Sequence, residues 1–390
     1  MSFASHLVMP NTKNYHWRIA GFYFFYYAFI GMFAPYWSLY LQSIHFDAIE
    51  ISILLSIQPV MRMLAPGIWG GLADHTGKRL LVIQLAATLS AVCYLGVFFT
   101  TSFWGMLLVL CLMSFFWSAS MPLVEATTLT YLGKNTAHYG RIRSWGSIGF
   151  IVSVVGLGFA FDYVAIAWLL WAGLVCEIGI LIFSRQIPKT EVLAHHTDSQ
   201  SIRQIVMQPR VLALFGACFL MSVAHGPYYT FFSIYLVEHG YAKSAVGGLW
   251  ALGVICEIGV FFVMPLLVRR FGFTRILLIS FSAAVLRFLL IGWTVDWVFL
   301  LLFAQMLHAL TFGAYHAASV GLVHEFFQGR HQSKGQALFG SLTYGAGGML
   351  GGLASGPIWQ HWGASALYTF SALMALLGLL LVARRLASLK

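Results

Sequence analysis

Carboxylates are scarce in this chain, with 12 Asp and Glu among 390 residues. All charged residues together make up 9%, against about 25% in a soluble domain. Such a shortage excludes a water-soluble enzyme of this size, because so few ionised groups leave a globule's surface largely uncharged. It also excludes a disordered chain, which needs low hydrophobicity and high charge. Cysteine is sparse as well. Cys93, Cys111, Cys176, Cys218 and Cys256 all fall within apolar runs with no CxxC pair, and read as small packing residues. No nucleotide-binding loop is present either. The Gly-rich run Gly345–Gly352 follows no strand and has no Lys in place.

What is present is apolar: 60% of the residues are hydrophobic. Reading apolar runs between charged or turn-rich breaks gives twelve segments, at 18–44, 48–73, 79–100, 103–131, 142–161, 164–184, 210–237, 243–268, 274–294, 297–323, 333–359 and 362–384. Each is long enough to cross roughly 30 Å of hydrocarbon as a helix. The runs are too long and continuous for barrel strands of roughly 10 alternating residues. The first run follows Arg18 without a small-residue cleavage site and reads as a helix rather than a signal peptide. The expected fold class is an all-α polytopic membrane protein of twelve helices.

Charge placement then sets direction. Nineteen of the 22 Lys and Arg fall on the side that holds both termini, including Lys13, Arg79, Lys134, Arg141, Arg143 and Lys390. Lys243 stands alone on the other side, and Arg62 and Arg287 lie inside spans. This asymmetry is the positive-inside signature, so both termini are expected in the cytoplasm, in a bacterial-type inner membrane. It also removes the nucleic-acid partner that a net charge of +10 would otherwise suggest, because the bases are spread over separate loops.

Half the chain length is a repeat. At an offset of 195, Ser38-Leu39-Tyr40-Leu41 falls on Ser233-Ile234-Tyr235-Leu236, Gly77 on Gly272 and Gly140 on Gly335. The expected organisation is a six-helix bundle over 1–184, a polar cytoplasmic linker over 185–209 containing Thr190, His195, His196, Asp198 and Ser199, and a second bundle over 210–390. Duplicated bundles are a transporter architecture, with the substrate site between the halves near the midplane.

Gly70-Gly71-Leu72-Ala73-Asp74-His75-Thr76-Gly77-Lys78-Arg79 resembles the signature loop of the major facilitator superfamily, with His75 in place of the usual base. Its second copy keeps Gly272 but has Arg269 where the Asp would be. Phe33–Ser38, Tyr139–Ser147, Ala245–Glu257 and His308–His316 are similar to the phenylpropionate permease group, related to lactose and nucleoside proton symporters. The resemblance implies the major facilitator fold and proton-coupled alternating access, with Asp74, Gly77, Arg79, Arg141 and Arg143 in gating.

Ionisable residues inside spans cost about 2.5–3.5 kcal/mol each on insertion scales and call for a reason. Arg62 and Glu257 are equivalent at the 195 offset and both lie near mid-depth, as does Arg287. Glu257 is the expected proton carrier. Arg62 is the expected ligand of a substrate carboxylate, or a counter-ion of Glu257. Arg287 is expected to pair with Glu257 across adjacent helices. Glu125 reads either as a partner of Arg141 or Arg143 in a gate or as a transport residue. His308 and His316, eight residues apart on one helix, are candidates for proton transfer. Glu177 reads as structural.

His225-Gly226-Pro227 reads as a helix break, which would turn Tyr228 and Tyr229 toward substrate. Tyr36, Trp37, Gln58 and Gln305 complete the expected pocket. With no metal ligands and no cofactor, the energy source is the proton gradient. The expected cargo is a small aromatic carboxylate carried inward by a monomer in the lipid bilayer. The alternatives are a neutral solute such as a nucleoside or sugar, or export of a drug or metabolite.

Overall fold

The structure is a computed structural model, and it describes residues 13–133, 135, 138–189 and 202–386. Linker residues 190–201, with Thr190, His195, His196, Asp198 and Ser199, lie outside the described residues, as do Lys134 and Lys390. The described residues are helical almost throughout. In the first half, α1 is Lys13–Ser43, α2 Ala48–Thr76, α3 Arg79–Tyr94, α4 Phe103–Leu132, α5 Tyr139–Phe161 and α6 Leu169–Ser184. A 3₁₀ turn at Leu95–Phe98 extends α3. In the second half, α7 is Pro209–Glu238. The run Lys243–Trp293 turns at Gly272, φ 71°, giving α8 (243–271) and α9 (273–293). Then α10 is Val298–Phe326. The last run turns at Gly363, φ 77°, giving α11 (332–362) and α12 (364–385). A 51-residue run would measure roughly 76 Å at 1.5 Å per residue, far beyond one hydrocarbon thickness. The turns therefore restore the twelve spans expected from hydropathy.

The repeat extends to backbone conformation. Gly77 and Gly272, φ 64° and 71°, both turn the chain between consecutive helices. At the same offset, His45 (φ 70°) matches Gly240 (φ 80°) ahead of α2 and α8. Left-handed backbone is open to glycine and costs a side chain about 1–2 kcal/mol, so turn geometry is held even where the residue changes.

Packing groups α1, α3, α4, α5 and α6 closely, and α7 with α11 and α12. Between these groups the seam is made by α5 against α8 and α2 against α11. The seam is tight only toward the face away from the termini. There Gly158 lies so close to α8 that a Cβ would meet the Lys243 carbonyl at 2.8 Å, and Gly247 abuts the Val154 carbonyl. Gly352 and Gly356 abut Ser56 and Ser52 in the same way, and a Cβ on Gly345 would meet Met63 at 2.7 Å. Toward the termini, Gly67, Gly70 and Gly71 of α2 and Gly259 of α8 have open space at the Cβ position. The two groups thus splay toward the termini and close at the far face.

Helix α7 runs unbroken through His225-Gly226-Pro227, contrary to the expected break. Gly226 packs on the α11 backbone at Gly351, and Thr230 donates to the Gly226 carbonyl. The irregular backbone lies elsewhere, in π-helical segments Ala309–Ala314 of α10 and Ser341–Gly347 of α11. Such segments are rare and recur at functional sites.

Candidate functional site

The splayed cavity gathers charge from both groups of helices. Two antiparallel contacts, Gly158 with Lys243 and Gly247 with Val154, set the register of α5 on α8. Arg143 is eleven residues before Val154 and Glu257 ten after Gly247, so they lie at one level. Arg143 is correspondingly the cation that acts on Glu257 from across the seam. The rim position expected for Arg143 from loop charge is thus corrected, because α5 begins well inside the level at which α8 ends. Arg143 pairs with Glu125 at 3.8 Å, donates to the Tyr27 hydroxyl and lies over the Tyr27 ring at 4.0 Å.

On the opposite wall, the Glu257 carboxylate lies 3.8 Å from Nε2 of His308 of α10. Gly313, in the π segment, faces the Glu257 side chain closely enough that a Cβ would meet its Cγ at 2.8 Å. The π segment therefore gives α10 its close approach to the carboxylate. Farther along α10, His316 Nδ1 lies 2.6 Å from the Tyr344 hydroxyl of α11. His308, Phe312 and His316 stack as near-parallel rings, with centroids 5.4 and 6.3 Å apart.

Arg62 stands apart. It is exposed, and its guanidinium lies over Trp117 at 5.7 Å. Among the described residues it has no ion pair. Tyr229 is 37% exposed and borders the same space. Gln58, one turn along α2, has a buried Nε2 without a hydrogen-bond partner. The interior therefore offers a free cation and a free donor on one helix.

Other expected residues lie elsewhere. Arg287 does not pair with Glu257. It is fully buried, donates to the Ala304 carbonyl, Thr311 and Gln305, contacts His225 Nε2 at 3.4 Å, and lies over Tyr228 at 4.3 Å. Its stem points from α9 into the interior between α7 and α10, where four neutral polar groups and a ring take the place of an acid. Tyr228 and Gln305 belong to that buried network, joined at 3.1 Å, and do not face the cavity. Tyr36 and Trp37 are also buried. Tyr36 donates to the Val154 carbonyl at the closed end of the seam, and Trp37 stacks on Phe33 at 5.0 Å. Glu177 is enclosed between α3 and α6, accepting from Ser90 at 3.1 Å. Of the residues expected in gating, Asp74 and Arg141 are exposed on the splayed side, with Gly77 at the turn and Arg79 half-exposed. Asp74 has no hydrogen bond or ion pair among the described residues.

A cavity between two pseudo-symmetric groups of membrane-length helices, sealed at one face and lined by ionisable groups at mid-depth, is the arrangement in which repeat-built transporters hold substrate. The MFS_1 like family model matches residues 16–370. The chain belongs to that family. It is 27% identical over 380 residues to the probable 3-phenylpropionic acid transporter of Escherichia coli, covering 95% of this chain and 97% of that one. It is 24% identical to the maltose permease of Geobacillus stearothermophilus, covering 93% of each. A crystal structure of a mutant of the nucleoside transporter NupG superposes with a TM-score of 0.84 at 19% identity, covering 97% of this chain and 100% of that one. The fold is thus that of major facilitator transporters, and the protein is a multi-pass membrane transporter of small molecules rather than an enzyme. Sequence reasoning missed Tyr27 and Tyr344 as partners of the ionisable groups.

Proposed function

We propose that the protein is a proton-coupled importer of a small aromatic carboxylate. The observation that carries this reading is Arg62, an exposed cation at mid-depth without an acid partner among the described residues. The other two interior arginines are already matched: Arg143 by Glu125 and Tyr27, and Arg287 by its buried network. A substrate carboxylate supplies the missing counter-charge through two parallel N–H···O bonds. The partly exposed ring of Tyr229 suits the aromatic body of such a substrate. The likeness to a probable 3-phenylpropionic acid transporter supports the same cargo.

Glu257 carries the proton in this proposal. It faces His308 on its own side and Arg143 across the seam, so any movement of the two groups changes its cationic surroundings and hence its hold on a proton. The termini face is the cytoplasm, and the conformation is inward-open. The protein works as a monomer in a bacterial inner membrane. Neutral cargo is the second reading, supported by the polar cluster Arg143, Glu125, Tyr27 and Gln58 and by the likeness to a maltose permease.

Proteoliposome uptake decides between them. Adding 3-phenylpropionate outside is expected to make the external medium more alkaline. Arg62→Ala is expected to lose about 10- to 100-fold in apparent affinity for the acid, the worth of a charged hydrogen-bonded pair, and to leave neutral aromatic amides unaffected. Equal loss of both cargoes would overturn the carboxylate assignment.

A further inference from the structure

The closed face holds a contact that the repeat makes conspicuous. Helix α2 caps its own N-terminus: the Asp47 carboxylate accepts from the Glu50 N–H at 2.8 Å, and the Glu50 side chain accepts from the Asp47 N–H at 3.1 Å. Its repeat equivalent, α8, begins after Ala242, the residue 195 positions on from Asp47. Ala242 has the extended backbone of a capping position, φ −62° and ψ 152°, but no side chain that can accept. The missing acceptor comes from the other group of helices. Asp162, at the end of α5, turns Oδ1 onto the N–H groups of Lys243 at 2.8 Å and Ser244 at 3.3 Å.

We infer that Asp162 is a conformational latch of the far face, capping α8 in trans only while the two groups of helices are closed there. Opening that face separates α5 from α8 and returns the Lys243 and Ser244 amides, and the positive end of the α8 dipole, to water. The Asp47 cap on α2 stays within one segment and is indifferent to opening. The contact is therefore conformation-specific, where an ordinary cap is not. It does not act alone at this face. Gln42 of α1 donates to Glu238 of α7 at 3.1 Å, and the Gly158 and Gly247 contacts bring the backbones close enough for the carboxylate to reach. Asp74, the carboxylate at the opposite face, has no hydrogen bond or ion pair among the described residues in this conformation.

Spin labels test this without any substrate. In full-length protein with the five cysteines replaced, labels at Thr101→Cys and His361→Cys report the width of the far face by pulsed dipolar distance measurement in nanodiscs. Asp162→Ala is expected to raise the ratio of long-distance to short-distance population about fivefold, the worth of one lost cap. Asp162→Asn, which keeps an acceptor oxygen, is expected to hold the original distribution. Ala242→Asp gives α8 a cap of its own in either state and sets a second carboxylate beside Asp162, so it is expected to raise the long-distance population with Asp162 untouched. An unchanged distribution in Asp162→Ala would overturn the latch. If that variant fails to fold, an unchanged distribution in Ala242→Asp would overturn it instead.

Discussion

Three arginines near mid-depth carry the same charge and do different things, because their neighbours differ. Arg143 has an acid, Glu125, and a phenol, Tyr27. Arg62 has a ring beneath it and open space ahead. Arg287 has no acid, yet its guanidinium is held by the Ala304 carbonyl, Thr311, Gln305 and His225 over the Tyr228 face. A flat fork with five donors suits that distributed set of partners, and an ammonium does not. Arg287→Lys is therefore expected to lower stability by about 2–4 kcal/mol, since buried acceptors lose their donors. Arg62→Lys, at an exposed position, is expected to stay within about 0.5 kcal/mol of the original. Thermal unfolding in detergent measures both, and equal losses would show that Arg287 is not held as the geometry implies.

At the scale of helices, the twelve spans were legible because hydrocarbon thickness sets a length that hydropathy reports directly. Turns were legible as well: Gly77 and Gly272 align at one offset and share a left-handed backbone. What the sequence did not disclose is how one helix registers against another. Loop charge placed Arg143 at the rim, whereas the Gly158 and Gly247 contacts place it level with Glu257. Pro227 suggested a break, yet α7 runs on through it with the α11 backbone at Gly351 packed against the Val223 carbonyl that Pro227 leaves without a donor, while the π segments of α10 and α11 contain no proline to announce them. The Asp162 cap is an effect of this kind, and its pH dependence follows from it. Hydrogen bonding from Ser244 is the main cause that holds the Asp162 carboxyl below the usual 3.8, with Lys243 adding to it; Tyr36 is the phenol within its field. A lowered value means the latch is at full strength above the free carboxylate's range and is lost as pH falls through the lowered value. The spin-label distribution is thus expected to be flat from roughly pH 5 to 8 and to shift toward opening only below roughly pH 4. A transition near neutrality would assign the closure to another group.

For the molecule as a whole, the seam is tight at one face and splayed at the other, so the interior charges communicate with the compartment on the side of the termini. Glu257 sits where that geometry makes protonation consequential. Its own group of helices gives it His308, and the opposite group presents Arg143 at the same level. Under the proposed proton coupling, an ionised Glu257 in an empty interior has to stay put, and a neutral one, balanced or replaced by substrate charge, is free to cross. A residue that imitates the protonated form should therefore allow movement in both directions while removing its dependence on protons. Glu257→Gln is expected to abolish accumulation against a gradient and to retain exchange of labelled for unlabelled substrate at near the original rate. A pH difference of one unit supplies about 1.4 kcal/mol per proton, the equivalent of a tenfold accumulation ratio. Proteoliposomes with an imposed pH gradient separate the two modes cleanly. Accumulation that survives in Glu257→Gln would move the proton to His308, His316 or Glu125, and loss of exchange along with accumulation would make Glu257 a substrate ligand instead.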